Sequence, residues 1–205
     1  SESKANPDDA VGIHVTGLIN VLGALRQSDS CGRLVYASSS FVYGHFQSDK
    51  VDEQHPRNPI DVYGRTKLAG EELCHVTCGA ASRELVILRP AAIYGYEDSR
   101  GRLVDFMIRR ALSGEPIPLW EPHARADFTF VGDAADGFVS AVLAKGAAGQ
   151  AFNLTRGESR SNEELASLIC AAVPGAVVQR SESGTPFDSP RRGTMNVAKA
   201  RELLG

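Results

Sequence analysis

Leu34-Val35-Tyr36-Ala37-Ser38-Ser39-Ser40-Phe41-Val42-Tyr43-Gly44 opens on an apolar run and closes on three hydroxyls before a glycine. Four apolar residues between Gly32-Arg33 and a serine cluster read as a short buried strand with a turn at its carboxyl end. A polar loop over roughly 44–60, holding Pro56 and Pro59, leads to Tyr63-Gly64-Arg65-Thr66-Lys67 near the start of a helix expected at about 62–78. Glu84 to Leu88, with Val86 and Ile87, is the next strand and is closed by Arg89-Pro90. Strand, helix, strand in that order implies a parallel pair joined by a crossover helix.

The same alternation extends in both directions. Upstream, Asn6-Pro7-Asp8-Asp9 is a helix start, with a capping Asn, Pro at the first helical position and two acids facing the dipole. Val11, Val15, Leu18, Leu22 and Leu25 follow at helical spacing. Downstream come a helix near 103–113 ending at Gly114, then Pro116-Ile117-Pro118-Leu119, a strand at Phe128-Thr129-Phe130-Val131 and a helix from Asp133 through Val142. Ala151 to Leu154 is strand-like, Ser161-Asn162-Glu163-Glu164 is a capping box opening another helix, and Val177-Val178 and Ala198–Leu204 complete the series. This is an α/β pattern with a largely parallel sheet.

Two hundred and five residues fit one domain, or one domain and a small lobe. Twenty-two Lys+Arg against 25 Asp+Glu leave a formal charge of −3, which offers no electrostatic footprint for nucleic acid or an anionic membrane. No apolar run could span a bilayer, and Ser1-Glu2-Ser3-Lys4 lacks the apolar core of a signal peptide; the expectation is a cytoplasmic protein. Four cysteines, Cys31, Cys74, Cys78 and Cys170, are too few and scattered for a disulfide scaffold, and none completes a metal site with neighbouring histidines. They read as small core residues of a reducing compartment.

Tyr63 and Lys67 carry the pointed chemistry. At i and i+4 of a helix they project from one face, and an ammonium beside a phenol favours the phenolate, suiting Tyr63 to acid/base work. Ser39 stands at the carboxyl end of a buried strand, where open α/β sheets place ligands, and its hydroxyl could bond the oxygen that Tyr63 serves. Read without this context, the Tyr–Lys pair is two unrelated surface residues and the serines are a turn that bonds its own backbone.

These segments together resemble the extended short-chain dehydrogenase/reductases, and more narrowly the NAD(P)-dependent epimerase/dehydratase family acting on sugars and nucleotide sugars. Tyr36 to Gly44, Pro59 to Lys67, Leu88-Arg89-Pro90-Ala91-Ala92-Ile93-Tyr94-Gly95, Gly114 to Leu119, Asp127 to Asp133 and Phe152-Asn153-Leu154 occur in the family's order, and Arg191-Arg192 then precedes Asn196 to Gly205. The resemblance implies the C-terminal part of a Rossmann-like, doubly wound domain with a small α+β substrate-binding lobe. Residues 1–95 would be the partial Rossmann-like domain and 96–205 mostly the lobe, with 126–154 returning to the Rossmann sheet. It further implies Tyr63 as acid/base, and Lys67 binding the nicotinamide ribose of NAD or NADP. Pro90 and Ala37 would lie beside that cofactor, and Ser39 would hold the reacting oxygen. Ser40, Ala92, Arg125, Arg191 and Arg192 would face substrate, the arginines suiting a phosphate. A homodimer is implied through the helices near 11–27 and 62–78.

The departures narrow the chemistry. No GxxGxxG or GxGxxG turn is present to cradle a pyrophosphate, so these residues alone are expected to bind NAD(P) poorly. Ala92 and Ala126 stand where the family often has Asn and Arg, with Arg125 one residue away, and His14 replaces an Asn and reads as structural. Ser40 and Phe41 occupy the positions where dehydratases place Asp-Glu; Phe41 cannot move a proton, which disfavours elimination. Epimerisation by transient oxidation and re-reduction is the leading expectation. Reduction of a non-nucleotide carbonyl, or a non-catalytic family member, stays open.

Overall fold

Leu85, Val86, Ile87 and Leu88 are each at most 5% exposed, so their strand is covered on both faces. That is the position of a central strand in a parallel sheet, and it explains the unbroken apolar run. The computed structural model describes residues 6–96, 98, 101–182 and 190–205; the N-terminal Ser1-Glu2-Ser3-Lys4 lies outside them. In chain order the elements are α1 (Pro7–Val11), a π-helical turn (Gly12–Thr16), α2 (Gly17–Gln27), β1 (Arg33–Ala37) and a 3-10 turn (Ser40–Tyr43). Next come β2 (Lys50–Val51), α3 (Val62–Ala80), β3 (Glu84–Pro90), β4 (Ala92–Tyr94), α4 (Leu103–Leu112), β5 (Ile117–Leu119) and β6 (Arg125–Phe130). The last are α5 (Val131–Leu143), β7 (Ala151–Leu154), β8 (Ser159–Ser161), α6 (Asn162–Ala172), β9 (Val178–Arg180), β10 (Thr194–Met195) and α7 (Ala198–Leu203).

The main sheet has the order β1-β3-β7 and is parallel throughout, with Val35 opposite Val86, Ala37 opposite Leu88, and Leu88 opposite Phe152. Alternation along β3 sends Leu85 and Ile87 to one face, where they meet Leu22 and Leu25 of α2 and Cys74 and Cys78 of α3. Val86 and Leu88 go to the other, against Ala141 of α5, Phe152 and the partly buried Leu203 of α7. Helices on both faces of a parallel sheet make the Rossmann-like layering. Cys74 and Cys78 are thus core residues, as their helical spacing implies. Among the described helices none is long and apolar enough to cross a membrane.

A second sheet, β4-β6-β8, has β6 parallel to β4 and antiparallel to β8. With α4, α6 and the β5–β9 pair it encloses a separate core of Val104, Met107, Ile117, Leu165 and Ile169. Here the expected partition needs correcting within 126–154. The strand Arg125–Phe130 does not rejoin the main sheet, because Phe128 packs on the lobe core; the return is made by α5 and β7. α7 also lies on the main sheet, through Ala200 and Leu203. Val131, read as strand, begins α5 with Phe130 as its extended N-cap. Ser161 forms the expected capping box with Glu164 at the start of α6.

One buried network ties α3 to the sheet. Glu71 is fully buried, and its carboxylate accepts from Arg89 Nε and Nη2 at 2.9 and 2.7 Å, from Ser38 Oγ at 2.5 Å and from Arg57 Nη1 at 3.2 Å. Arg89 Nη1 also donates to Tyr43 Oη, which donates to Asn153 Oδ1. Burial alone raises the Glu71 carboxyl, but the hydrogen bonds and charge of Arg89, helped by Ser38 and Arg57, outweigh it and hold the group below its ordinary value. Removing one partner strands the other charge in the core. Glu71→Ala is therefore expected to lower the unfolding free energy in urea by about 3–5 kcal/mol, with Glu71→Leu/Arg89→Met recovering much of the loss. The carboxylate's contribution is present above the ordinary glutamate range and is lost as pH falls through the lowered native value. An unfolding midpoint unchanged by Glu71→Ala would contradict this role.

Candidate active site

Asp61 starts α3 by accepting from Gly64 N at 2.7 Å, so Tyr63 falls in the first turn and Lys67 one turn later on the same face. That face lies over the carboxyl end of β1. Lys67 Nζ donates to the carbonyl of Ala37, the last residue of β1, at 2.9 Å. The ammonium is 5.8 Å from the centroid of the Tyr63 ring and 5.6 Å from that of Tyr36. Burial pulls Lys67 below its ordinary value, and among the described residues its ammonium hydrogen-bonds the Ala37 carbonyl, leaving further N–H groups to donate.

The 3-10 turn brings the second half of the site. Ser38, Ser39 and Ser40 are all buried. Ser38 Oγ is committed to Glu71, whereas Ser39 Oγ caps the turn by accepting from Phe41 N at 3.2 Å. Accepting uses a lone pair, so the Ser39 hydroxyl still has its proton to give. Phe41 then sets its ring edge-on to Tyr63, with centroids 5.6 Å apart. The start of α3 approaches this turn so closely that a Cβ on Gly64 would fall 2.6 Å from the Phe41 carbonyl oxygen and 2.9 Å from Pro59 Cβ. Glycine between Tyr63 and Arg65 is what permits the contact.

Thus Tyr63, Lys67 and the turn carrying Ser39 gather at the tip of β1. Pro90 ends the neighbouring strand, two residues past Leu88, the partner of Ala37. Ala92 is exposed on β4. Arg191 and Arg192 approach from the far end of the chain, but both bond backbone carbonyls, Arg192 those of the turn and Arg191 that of Phe46 beyond it. Arg192 Nη1 donates to Ser40 O at 3.1 Å and Gly44 O at 2.9 Å, with its guanidinium carbon 4.7 Å from the Phe41 ring centroid and 5.0 Å from that of Phe46. Burial pulls its pKa down to about 10, Asp61 opposing. Arg191 gives Nε and Nη2 to Phe46 O. Arg125 is held in the lobe by Ser159 and Glu164.

Two residues that the sequence reading left out of the site belong to its frame. Glu71 continues the Tyr63–Lys67 row by one more turn, a spacing visible in the sequence, though its partner Arg89 is not. His14 meets the Tyr63 ring edge-on at 5.4 Å and bonds Thr66, between Tyr63 and Lys67, at 2.8 Å.

Known proteins are similar to this chain in sequence and in fold. The chain is 31% identical over 193 residues to an uncharacterized UDP-glucose epimerase, YtcB, of Bacillus subtilis, covering 93% of this chain and 60% of that one. It is 29% identical over 197 residues to the UDP-glucose 4-epimerase of Mycolicibacterium smegmatis, covering 91% and 62%. The crystal structure of UDP-glucuronic acid 4-epimerase from Bacillus cereus, in complex with UDP-glucuronic acid and NAD, superposes with a TM-score of 0.85 at 26% identity, over 95% of this chain and 62% of that one. The chain therefore spans about three-fifths of the length of the relatives it matches. The model of the NAD dependent epimerase/dehydratase family matches residues 1–155, and to that family the chain belongs.

Proposed function

We propose that the protein is an NAD-dependent epimerase of a nucleotide sugar, working by transient oxidation and re-reduction of one sugar carbon. The observation that carries this reading is Lys67: a partly buried ammonium, pinned by the Ala37 carbonyl, 5.8 Å from the Tyr63 ring centroid at a strand tip. The B. subtilis and M. smegmatis relatives are named as UDP-glucose epimerases, and the B. cereus neighbour is a 4-epimerase holding NAD. The residues fit the nicotinamide half of such a cofactor. Lys67 retains donors for ribose hydroxyls, and Ala37 and Pro90 border the place it would occupy. When bound, NAD supplies a hydride acceptor that later returns the hydride.

The chain's own residues handle the proton. Tyr63 Oη takes the proton of the sugar hydroxyl as its carbon is oxidised and gives it back on reduction. Lys67 favours the phenolate by charge, and Ser39 donates to the same oxygen, fixing it against the phenol. Phe41, in contact with Tyr63, brings no acid or base, in keeping with epimerisation rather than water loss. A dimer paired through α2 and α3 belongs to the same reading, supported by the exposed Ile19 and Val76 on those helices.

A second reading, reduction of a non-nucleotide carbonyl, is favoured by Arg125, whose guanidinium is engaged by Ser159 and Glu164 instead of lying open for a phosphate. Product analysis with NAD separates the two. Interconversion of UDP-linked sugar epimers without net NADH is the expected result, and turnover of free carbonyl compounds alone would favour the second.

Tyr63→Phe is expected to lower turnover by at least about 10²-fold, with the fold intact by circular dichroism. Turnover near that of the parent protein would refute the assignment. Gly64→Ala adds a carbon where the Phe41 carbonyl stands 2.6 Å away, so α3 must move off the turn. Loss of turnover on the order of 10²-fold is expected, with a stability cost of about 1–3 kcal/mol. An active, equally stable variant would show that the close approach does not matter.

A further inference from the structure

The first helical segment of the described chain does not run as one α-helix. Between α1 and α2, Gly12–Thr16 takes the wider π-helical winding, a form found mostly as short bulges and often at functional sites. His14 is the middle residue of this bulge. Its Nδ1 lies 2.8 Å from Thr66 Oγ1, and Thr66 in turn donates its hydroxyl proton to the Tyr63 carbonyl at 2.9 Å. A hydroxyl has one proton to give, so toward His14 the Thr66 oxygen must accept. His14 Nδ1 therefore carries the hydrogen, and in the neutral ring the lone pair is left on Nε2.

This ring does not sit apart from the chemistry. Its centroid is 5.4 Å from that of Tyr63 in an edge-on arrangement, while Phe41 makes a second edge contact with Tyr63 at 5.6 Å. The phenol ring is thus held by contacts from two separate elements, the π-helical turn and the 3-10 turn. The ionisable groups set against His14 among the described residues are Tyr63 and Lys67, both from α3; Thr66 is neutral. Burial first, then the charge of Lys67, keeps the imidazolium below its ordinary value, so the ring is neutral at pH 7.

We propose that His14 is a positioning residue for the acid/base: held as the Nδ1–H tautomer by Thr66, its ring props the Tyr63 phenol in the orientation in which Lys67 acts on it. This rests on Tyr63 serving as proposed above. Protonation of His14 places a second cation beside Lys67 and disturbs the same arrangement, so turnover falls on the acid side as the imidazole titrates.

The test uses the full protein. Nitrogen-15 NMR of the His14 ring is expected to show Nδ1 protonated and Nε2 bare at pH 7, with a titration that moves upward in Lys67→Met. His14→Leu is expected to lower kcat about tenfold or more while KM for the UDP-sugar stays within about twofold. His14→Asn keeps a donor for Thr66, retains more of kcat than His14→Leu, and loses the acid-side inflection because the amide does not titrate. An Nε2–H tautomer, an imidazolium at pH 7, parent-like kcat in His14→Leu, or an unchanged acid inflection in His14→Asn would each overturn the proposal. Full turnover in Tyr63→Phe would instead refute the acid/base reading, and the tautomer and the Lys67→Met shift bear on His14 independently of it.

Discussion

Glu71 stands on α3 one turn beyond Lys67 and two beyond Tyr63, and its carboxylate is sealed from water. A charge in that place has to be met by partners on the elements it faces. Arg89 of β3 meets it with a fork of two hydrogen bonds, and Ser38, just past β1, meets it with a third. α3 therefore cannot slide along or roll on the sheet without separating buried charges. Such a pair adds little net stability compared with a well-packed apolar core, but it sets a register. That register is what leaves Lys67 under the Ala37 carbonyl and Tyr63 against the Ser40–Tyr43 turn.

The remaining frame of the site consists of close approaches made at glycines of α3 and of a brace on the turn that α3 meets. Gly64 lets the helix start come against Phe41, and Gly70 does the same against Tyr36, whose hydroxyl oxygen would lie 2.0 Å from a Cβ there. Arg192 holds the far side of the turn by binding two of its carbonyls and stacking on Phe41 and Phe46. A guanidinium so engaged acts as a brace for the turn. The site is thus assembled from four distant parts of the chain: the π-helical turn, the tip of β1, the first turns of α3 and the segment before β10.

Much of this was legible before any coordinates. The apolar run Leu85–Leu88 announced a strand, and the i, i+4 spacing of Tyr63 and Lys67 put them on one helical face. Local patterns of this kind survive because a single element's periodicity encodes them. What escaped depends on distant pairing. Lys50–Val51 and Thr194–Met195 form a two-residue parallel pair with no periodicity to reveal it. The strand Arg125–Phe130 has strand character in sequence, but its choice of the lobe sheet is made by Phe128 packing on residues far along the chain. His14 escaped because Val11, Val15, Leu18, Leu22 and Leu25 read as one regular helix, and a π bulge leaves no mark in such a pattern. The resemblance put Arg191 and Arg192 at a substrate phosphate; their bonds to the carbonyls of Phe46, Ser40 and Gly44 join segments far apart in the chain, which no local pattern displays.

The central claim is that Ser39 and Tyr63 act on one and the same oxygen, and a double-mutant cycle on turnover tests it most directly. Groups that serve a single atom work as a unit, so their losses do not add. With Ser39→Ala, Tyr63→Phe and the double variant measured on the same UDP-sugar with NAD, the account predicts that the double variant is scarcely slower than Tyr63→Phe alone. Losses that multiply in full would show two independent contributions and contradict it.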